Sequence, residues 1–254
     1  MKGFTAYLRK EYLEQLRGYK LLILFSVLIL FGMISPLVAK ITPDLLKNLS
    51  GSGITIKLPQ ITVSDAWAQF FKSISQIGMI VLILLFGTSL PQEINHGTLI
   101  IPLAKGLSRN TVILVKYLVS FINWTVGYVV SAVICCGYTQ YLFGAFAVPR
   151  LAFSLFCLWI FGDFLLALVL FAGTITTGNY GGLLLDLVFL GLLLALNAFP
   201  KLQKWNPITL ASQNASMLTR SNLWIDFTAT VWITIFATVI CFILSTFAFQ
   251  KKKL

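Results

Sequence analysis

The chain has 254 residues, of which 58% are hydrophobic and 11% are charged. A soluble domain carries about 25% charged residues, so this composition excludes a water-soluble globular protein. The formal net charge is +11, but the basic residues fall in short groups between apolar runs. That distribution excludes a continuous nucleic-acid-binding surface and favours loops that face anionic lipid or an acidic partner.

Residues 1–20 predict an amphipathic interface helix. Aromatic and leucine side chains from Phe4 to Tyr19 recur on one side at a 3.6-residue period, and Glu11 interrupts that stripe. Two interpretations stay open: a helix that lies in the lipid headgroup region, and a helix that docks a protein partner. The polar side carries Arg9, Lys10, Glu14 and Arg17.

Six apolar runs follow, each near the roughly 20 residues that cross the hydrocarbon core of a bilayer. They predict an all-α polytopic membrane protein, with a six-helix transmembrane domain over residues 21–249 and a basic tail over residues 250–254. The predicted spans are Leu21 to Ala39, Ile74 to Leu90, Tyr117 to Gly137, Leu151 to Gly173, Tyr180 to Phe199 and Ala229 to Phe249.

The placement of Lys and Arg predicts the orientation. With the N-terminus inside, the inner segments hold 11 basic residues and the outer segments hold 8. Because the inner segments are shorter, their basic density is about twofold higher, which favours both termini inside. Lys40 to Ser73 is then an outer loop, and Pro200 to Phe227 either lies on the outer surface or dips into the membrane.

The segment between the second and third spans is the most informative part of the sequence. Breakers at Pro91, Gly97, Pro102 and Gly106 predict one short helix across the membrane plane. Such a helix can pass a push from a soluble motor to two spans at once. The charges expected to hold it at the inner surface are Glu93, Lys105, Arg109 and Lys116.

This segment resembles the cytoplasmic loop of the type-2 permease family of ATP-binding-cassette (ABC) exporters. That loop reads Glu-x-x-x-Gly-Thr-Leu, then Ser-Arg, then a Lys that opens the third span. The family's common Lys-Pro before Ser-Arg is replaced here by Lys105-Gly106-Leu107. The basic N-terminal helix, the six-span layout and Asn206-Pro207 also fit, so the resemblance covers most of the chain. The matching loop residues are Glu93, Gly97, Thr98, Leu99, Ser108, Arg109 and Lys116.

The resemblance implies a transport subunit rather than an enzyme, in the plasma membrane of a bacterium. Its partners are then a separate ABC ATPase, which holds ATP and Mg, a second permease subunit, identical or homologous, and membrane lipid. The cargo is an amphipathic or hydrophobic drug, peptide or lipid-linked molecule. The N-terminal helix contributes its polar side to ATPase docking. The implied coupling residues are Glu93, Gly97, Thr98, Leu99, Lys105, Ser108 and Arg109.

The chain itself carries no Gly-x4-Gly-Lys-Ser/Thr loop that could cradle ATP phosphates. His96 is the only histidine, which removes the multi-histidine metal sets of intramembrane metalloproteases. The cysteines lie in apolar runs without Cys-x-x-Cys spacing, so they predict neither disulfides nor a zinc site. No metal or cofactor is therefore expected in this chain.

Two acids lie inside predicted spans, Asp163 in the fourth and Asp186 in the fifth. An ionisable group near the bilayer centre costs at least about 2.5 to 3.5 kcal/mol, so it usually faces a cavity or a partner. Both a place in the substrate path and a role as a packing acid stay open. In the third span, Gly127-x3-Ser131 and Ser131-x3-Cys135 permit close helix contact, within the subunit or across a dimer.

Alternative functions are an intramembrane enzyme, a motor-independent channel and a secondary transporter. An enzyme needs a convergent nucleophile and base or a metal set. A secondary transporter needs a charge-relay pair or an inverted repeat. The sequence displays none of these patterns, which favours the exporter subunit.

Overall fold

The computed structural model describes residues 2–49, 62–219 and 224–252, and all regular structure in these ranges is helical. The predicted all-α fold class is confirmed. A five-residue π-helical segment, Ile74–Gly78, joins the third helix to the fourth. The α-helices are α1 (Lys2–Arg17), α2 (Lys20–Leu49), α3 (Val63–Ser73), α4 (Met79–Gly87), α5 (Ser89–Asn95), α6 (Ile100–Ala104), α7 (Arg109–Phe143), α8 (Leu151–Ile175), α9 (Gly181–Asn197), α10 (Pro200–Gln203), α11 (Thr209–Ser212), α12 (Asn214–Thr219) and α13 (Trp224–Lys251).

Within the described residues, five helical stretches are long and apolar enough to cross a membrane. Each overlaps one predicted span, and together they give the architecture of an α-helical membrane protein. The other predicted span, Tyr180 to Phe199, falls on α9, a shorter apolar helix of 17 residues. The five long stretches are Lys20–Thr42, Val63–Asn95, Arg109–Phe143, Leu151–Ile175 and Phe227–Lys251.

Helices occupy both ends of the predicted outer loop from Lys40 to Ser73, and the second span extends back beyond Trp67. Helix α2 continues past its apolar run to Leu49, and α3 begins at Val63. Thr62 caps α3, since Asp65 accepts the Thr62 backbone N–H at 2.8 Å in a capping box. Residues 50–61 lie outside the described residues. A search for uninterrupted apolar runs misses an amphipathic helix of this kind.

Helix α8 is the central helix, and α4, α7, α9 and α13 pack around it. The main core, to which α3 also contributes, is rich in aromatic side chains, including Trp67 and Trp124, which are fully buried. Each buried indole N–H has an acceptor, because Trp67 donates to the carbonyl of Phe146 at 2.9 Å and Trp124 to that of Trp159 at 3.1 Å. These bonds remove the cost of burying a polar ring atom.

Helices α2 and α7 cross at very short range. The Ser131 hydroxyl donates to the carbonyl of Leu28, and a Cβ at Gly127 would lie 2.9 Å from the Leu28 side chain. On the α2 side, a Cβ at Gly32 would lie 2.6 Å from the Ser131 carbonyl oxygen. The Gly127-x3-Ser131 spacing therefore serves a contact inside the subunit.

Hydrogen bonds place several chain segments at one end of the bundle, here called the α1 end. Arg109 at the start of α7 donates to three carbonyls at the end of α13, those of Phe249, Gln250 and Lys252, at 3.1, 2.8 and 2.6 Å. The Lys252 amine donates to the Thr174 and Thr176 carbonyls at the end of α8. Helices α1, α5 and α6 lie at this end too, packed in a second, smaller core.

The opposite end holds the short helices α10 to α12. Helix α12 packs against α3 and α8, and the Asn214 amide donates to the carbonyl of Ser154, near the start of α8, at 2.8 Å. Asn206 also bridges back to α9, donating to the Leu193 carbonyl at 2.7 Å. The described part of the predicted Pro200 to Phe227 segment is therefore packed into the bundle.

Candidate functional site

Helix α1 packs against α7 through side chains that are one turn apart, Tyr7, Glu11 and Gln15. The predicted amphipathic helix is present, but only the first part of its predicted apolar stripe packs, from Phe4 to Leu8. Tyr12 is exposed, and Tyr19 is 67% exposed. Glu11, which interrupts the stripe in the sequence, is only 2% exposed. A buried carboxylate requires a partner, and that partner comes from α7.

Lys116 of α7 is this partner. Its Nζ donates to both carboxylate oxygens of Glu11 at 3.0 Å and lies 3.1 Å from Oε2 of Glu93 in α5. Lys116 is 3% exposed, so the prediction that it holds the loop at the surface is wrong. Helix α7 begins at Arg109, about two turns earlier. Those two turns leave Lys116 enclosed between α1 and α5.

Lys10 extends the network on its outer side. Its Nζ donates to Oε1 of Glu93 at 2.8 Å and pairs with Glu14 one turn along α1. Burial alone lowers the pKa of Lys10, but the hydrogen bonds to Glu14 and Glu93 outweigh burial and raise the pKa above its ordinary value. Burial, together with the charges of Glu93 and Glu11, also raises the pKa of Tyr7. We call Lys10, Glu11, Glu14, Glu93 and Lys116 the α1 ion network.

The geometry of the α1 ion network fits ion pairing rather than metal binding. Carboxylate oxygens of Glu11, Glu14 and Glu93 lie within 4.8 Å of one another, a spacing that a cation could bridge. Each of these acids is already paired with a lysine amine. The Lys116 amine donates to both carboxylate oxygens of Glu11 and is also ion-paired with Oε2 of Glu93 at 3.1 Å, so it lies between two carboxylates.

The segment from Glu93 to Arg109 forms two short helices, not the single helix predicted. Gly97 and Gly106 have positive φ of 67° and 86°, so both predicted bends are confirmed. The bend at Gly97 separates α5 from α6. Pro91 and Pro102 do not break the chain, because each occupies the third position of a short helix, where the first-turn N–H groups have no helical acceptor.

The predicted coupling residues divide into two groups. Glu93 and Leu99 are buried, and Arg109 binds the end of α13, so these three act inside the chain. Ser108 is the N-cap of α7, and its hydroxyl accepts the Thr111 N–H at 3.2 Å. The predicted residues that are exposed are Thr98, Lys105 and Ser108, and Gly97 is half-buried.

The sequence interpretation missed the most exposed apolar side chains of this segment. Ile100 is 53% exposed and Ile101 is 64% exposed, next to each other on α6. They lie beside exposed Lys105 and form a small apolar tip at the α1 end. The sequence signal that could have located this tip is the apolar pair Ile100-Ile101 between Gly97 and Pro102.

Of the predicted docking residues on α1, Arg9, Glu14 and Arg17 are exposed, whereas Lys10 is half-buried in the α1 ion network. The polar side of α1 therefore remains open to solvent, lipid headgroups or a partner. The exposed Tyr12 lies on the same helix, so both interpretations of α1 stay available for its outer surface.

The two intramembrane acids have different surroundings. Asp163 is half-buried and accepts a hydrogen bond from the Tyr117 hydroxyl at 2.6 Å. Asp186 is fully buried where α9 meets α4, close to Gly87, and its oxygens have no hydrogen-bond partner in the described part of the chain. The structure does not bring the two acids into one hydrogen-bonded pair, and they remain separate candidates for the substrate path.

No known protein family matches the chain, and no curated protein matches it. The function must therefore be argued from the site itself. Its chemistry is a set of ion pairs, with the Glu11–Lys116 pair buried, that join the N-terminal helix, the α5–α6 segment and α7, next to an exposed apolar tip. Such an arrangement can transmit force between a surface contact and the helices of the bundle.

Proposed function

We propose that this chain is the membrane-spanning subunit of an ATP-driven exporter of the type-2 ABC permease kind. A separate ATPase, carrying ATP and Mg, would drive alternating access, and a second permease subunit would complete the pathway for an amphipathic or hydrophobic cargo. The single observation that carries the proposal is the α1 ion network. Through Glu93 and Lys116, it ties the segment resembling the family's coupling loop to α1 and α7.

In this mechanism, the contacts at the α1 end transmit a movement of α6 to the long helices of the bundle. Helix α7 has 35 residues, so it is about 52 Å long and exceeds the roughly 30 Å of a hydrocarbon core. A push on α6 passes through Glu93 to Lys116, near the start of α7. Arg109 passes it on to α13, whose end is joined to α8 through Lys252. One contact at the surface therefore acts on three long helices.

The proposed contact with the ATPase is the apolar tip on α6. Ile100 and Ile101 are exposed beside Lys105 and Thr98, which combines an apolar centre with a polar rim. That anatomy is typical of the central part of a protein–protein interface. In this proposal Glu93 supports the tip from its buried position in the α1 ion network and does not contact the ATPase directly.

We expect the wild-type chain, purified from its native membranes in mild detergent, to carry a protein with a Gly-x4-Gly-Lys-Ser/Thr loop and Mg-dependent ATP hydrolysis. Replacing Ile100 and Ile101 together with glutamate should reduce the recovered ATPase at least about tenfold, because burying each isoleucine contributes roughly 1.5 to 3 kcal/mol. Recovery is measured by quantitative mass spectrometry of the purified complex.

The matched control is Ile175→Glu. Ile175 is similarly exposed at the same end of the bundle, on the last turn of α8, and its change should leave ATPase recovery near wild type. Absence of any such ATPase from the wild-type preparation would contradict the proposed function. Full recovery with the Ile100 and Ile101 double variant would contradict the proposed contact alone.

We further propose six crossings with both termini cytoplasmic. The proposal is supported by the position of α1 and Lys252 at the same end, which requires an even number of crossings. Helix α9 supplies the sixth: Gly182 abuts Gly173 near the end of α8, and the helices that follow α9 lie near the start of α8. Its 17 residues cover about 25 Å.

Single cysteines in a cysteine-free background test this orientation. Ala145 is exposed in the turn between α7 and α8, and Asn95 is exposed at the α1 end. We expect a membrane-impermeant maleimide added to intact cells to label a cysteine at Ala145 and to reach one at Asn95 only after permeabilisation. Labelling at Asn95 in intact cells, with Ala145 labelled only after permeabilisation, would contradict the proposed orientation.

A further inference from the structure

Asp163 is the middle residue of α8 and lies where the side chains of that helix begin to reach the protein surface. Every residue of α8 from Phe164 to Leu170 is buried, whereas Phe156 is 43% exposed and Trp159 and Asp163 are half-buried. Helix α8 is long and apolar enough to cross a membrane. A carboxyl group is therefore accessible near half the depth of the bundle.

Four half-buried aromatic rings lie next to one another on this side of α8. The Tyr117 and Phe121 rings of α7 have centroids 6.2 Å apart, and Phe121 lies 5.7 Å from Trp159 of α8. Phe242 of α13 lies 5.2 Å from Tyr117. Tyr117 joins the rings to the acid, because its hydroxyl donates to Oδ1 of Asp163 at 2.6 Å. We call Tyr117, Phe121, Trp159, Asp163 and Phe242 the Asp163 site.

The Asp163 carboxyl has no positive partner within residues 2–49, 62–219 and 224–252. Its hydrogen bond comes from a neutral hydroxyl, and none of the ion pairs between described residues includes it. Lys116 precedes Tyr117 in α7, but its amine is held between Glu11 and Glu93. Because a carboxylate at membrane depth needs a counter-charge or hydrogen bonds, the site favours a ligand that brings a positive charge.

The rings favour the same kind of ligand. An aromatic ring attracts a cation that lies within about 6 Å of its centroid, and the attraction is strongest for Trp. The angles between neighbouring ring planes range from 25° to 61°, so the rings do not close into one parallel stack. Their carbon surface also contacts the apolar body of an organic ion. A Ca²⁺ or Mg²⁺ ion would instead require about six oxygen ligands, and the Asp163 site offers one carboxyl and one hydroxyl.

The other intramembrane acid does not offer a comparable site. Asp186 is fully buried, and a Cβ at Gly87 on the facing helix would lie only 3.2 Å from its Oδ2. A ligand could reach Asp186 only if α4 and α9 separated. Of the two acids, Asp163 is therefore the one that is accessible in this arrangement of the helices.

We propose that the Asp163 site binds lipophilic organic cations, with the positive charge against the Asp163 carboxylate and the apolar body against the rings. As a statement about cargo, this inference rests on the proposed function, and it narrows the cargo from amphipathic or hydrophobic molecules to those that carry a positive charge. As a statement about binding, it needs only the purified chain.

The test measures the binding of radiolabelled methyltriphenylphosphonium to the purified full chain in mild detergent, by scintillation proximity. The matched competitor is 1,1,1-triphenylethane, which has the same shape with carbon in place of phosphorus and therefore carries no charge. We expect saturable binding that unlabelled methyltriphenylphosphonium displaces. The neutral competitor should displace it at least about tenfold less well, because it forms no charge pair with Asp163.

Variants separate the contribution of the charge from that of the rings. Asp163→Asn keeps the size and an acceptor for Tyr117 but removes the charge, and it should raise the half-saturating concentration at least about tenfold. Asp163→Glu retains the charge and should bind more tightly than Asp163→Asn. Phe121→Leu removes a ring but keeps an apolar side chain, and it should weaken binding at least about twofold. The control is Phe236→Leu, which removes an exposed ring of α13 outside the site and should change nothing.

Three results would overturn the proposal. One is the absence of saturable binding, and another is competition by 1,1,1-triphenylethane that equals competition by the cation. The third is unchanged affinity in Asp163→Asn, including the case in which only Asp186→Asn weakens binding. If Asp163→Asn fails to insert, the neutral competitor and Phe121→Leu still decide the question. Lost binding with ATPase recovery retained would contradict this proposal alone, whereas retained binding without any ATPase would contradict the proposed function.

Discussion

Replacing Lys116 with methionine is expected to destabilise the protein more than any other single change at the α1 end. Methionine has nearly the same length but removes the cation that donates to both oxygens of Glu11, which then keeps only Lys10 at 4.0 Å. Breaking a buried ion pair by removing one partner costs about 3 to 5 kcal/mol, because the remaining charge is uncompensated. The measurement is the thermal midpoint of the purified chain, monitored as the loss of monodisperse protein on heating.

Lys105→Met is the matched control, since Lys105 is exposed on the same segment and its loss should leave the midpoint within error. Combining Lys116→Met with Glu11→Gln should recover part of the loss, because the buried carboxylate is then neutral. A Lys116→Met protein as stable as wild type would mean that the α1 ion network contributes nothing to holding α1 in place. Purely additive effects of the two changes would mean that Glu11 and Lys116 do not interact.

Gly32→Ala should also destabilise the protein, although the same change normally favours a helix. A Cβ at Gly32 would lie 2.6 Å from the backbone oxygen of Ser131, and backbone cannot move aside as a flexible side chain does. Forcing α2 and α7 apart also weakens the bond from Ser131 to Leu28. Overpacking of this kind costs roughly 1 to 3 kcal/mol or more, against a helix-propensity gain of about 1 kcal/mol.

Gly137→Ala on α7 provides the contrasting control. A Cβ there meets no atom within 4 Å, so only the propensity gain of about 1 kcal/mol remains and the midpoint should rise slightly. Opposite signs for Gly32→Ala and Gly137→Ala are the expected result of the thermal measurements. If the thermal midpoints of both variants rise, the α2–α7 contact is looser than the structure indicates.

The sequence predicted those features that depend on a segment's own residues. The long apolar runs predicted the helices that can cross a membrane, because lipid leaves the backbone few alternatives to a helix. The bends at Gly97 and Gly106 were predicted as well, since a break between apolar turns needs a residue that tolerates positive φ. None of these predictions required knowledge of a partner helix.

What the sequence could not supply was the pairing of distant charges. Glu11 looked like a fault in an apolar stripe, and Lys116 looked like a surface anchor, because each is explained only by the other, 105 residues away. Arg109 was likewise predicted to be a residue of the coupling loop, whereas in the structure it binds carbonyls at the end of α13. Hydrophobic periodicity reports which side of a helix avoids water, but it does not report where a buried charge finds its counter-charge.

The sequence separation between Glu11 and Lys116 has a consequence for biosynthesis. At a translation rate of 5 to 20 residues per second, about 5 to 20 seconds pass between the synthesis of the acid and that of the lysine. Throughout that interval Glu11 has no buried partner on α7 and must stay hydrated, so α1 cannot yet be seated. The N-terminal helix, made first, is therefore among the last elements to reach its place in the assembled protein.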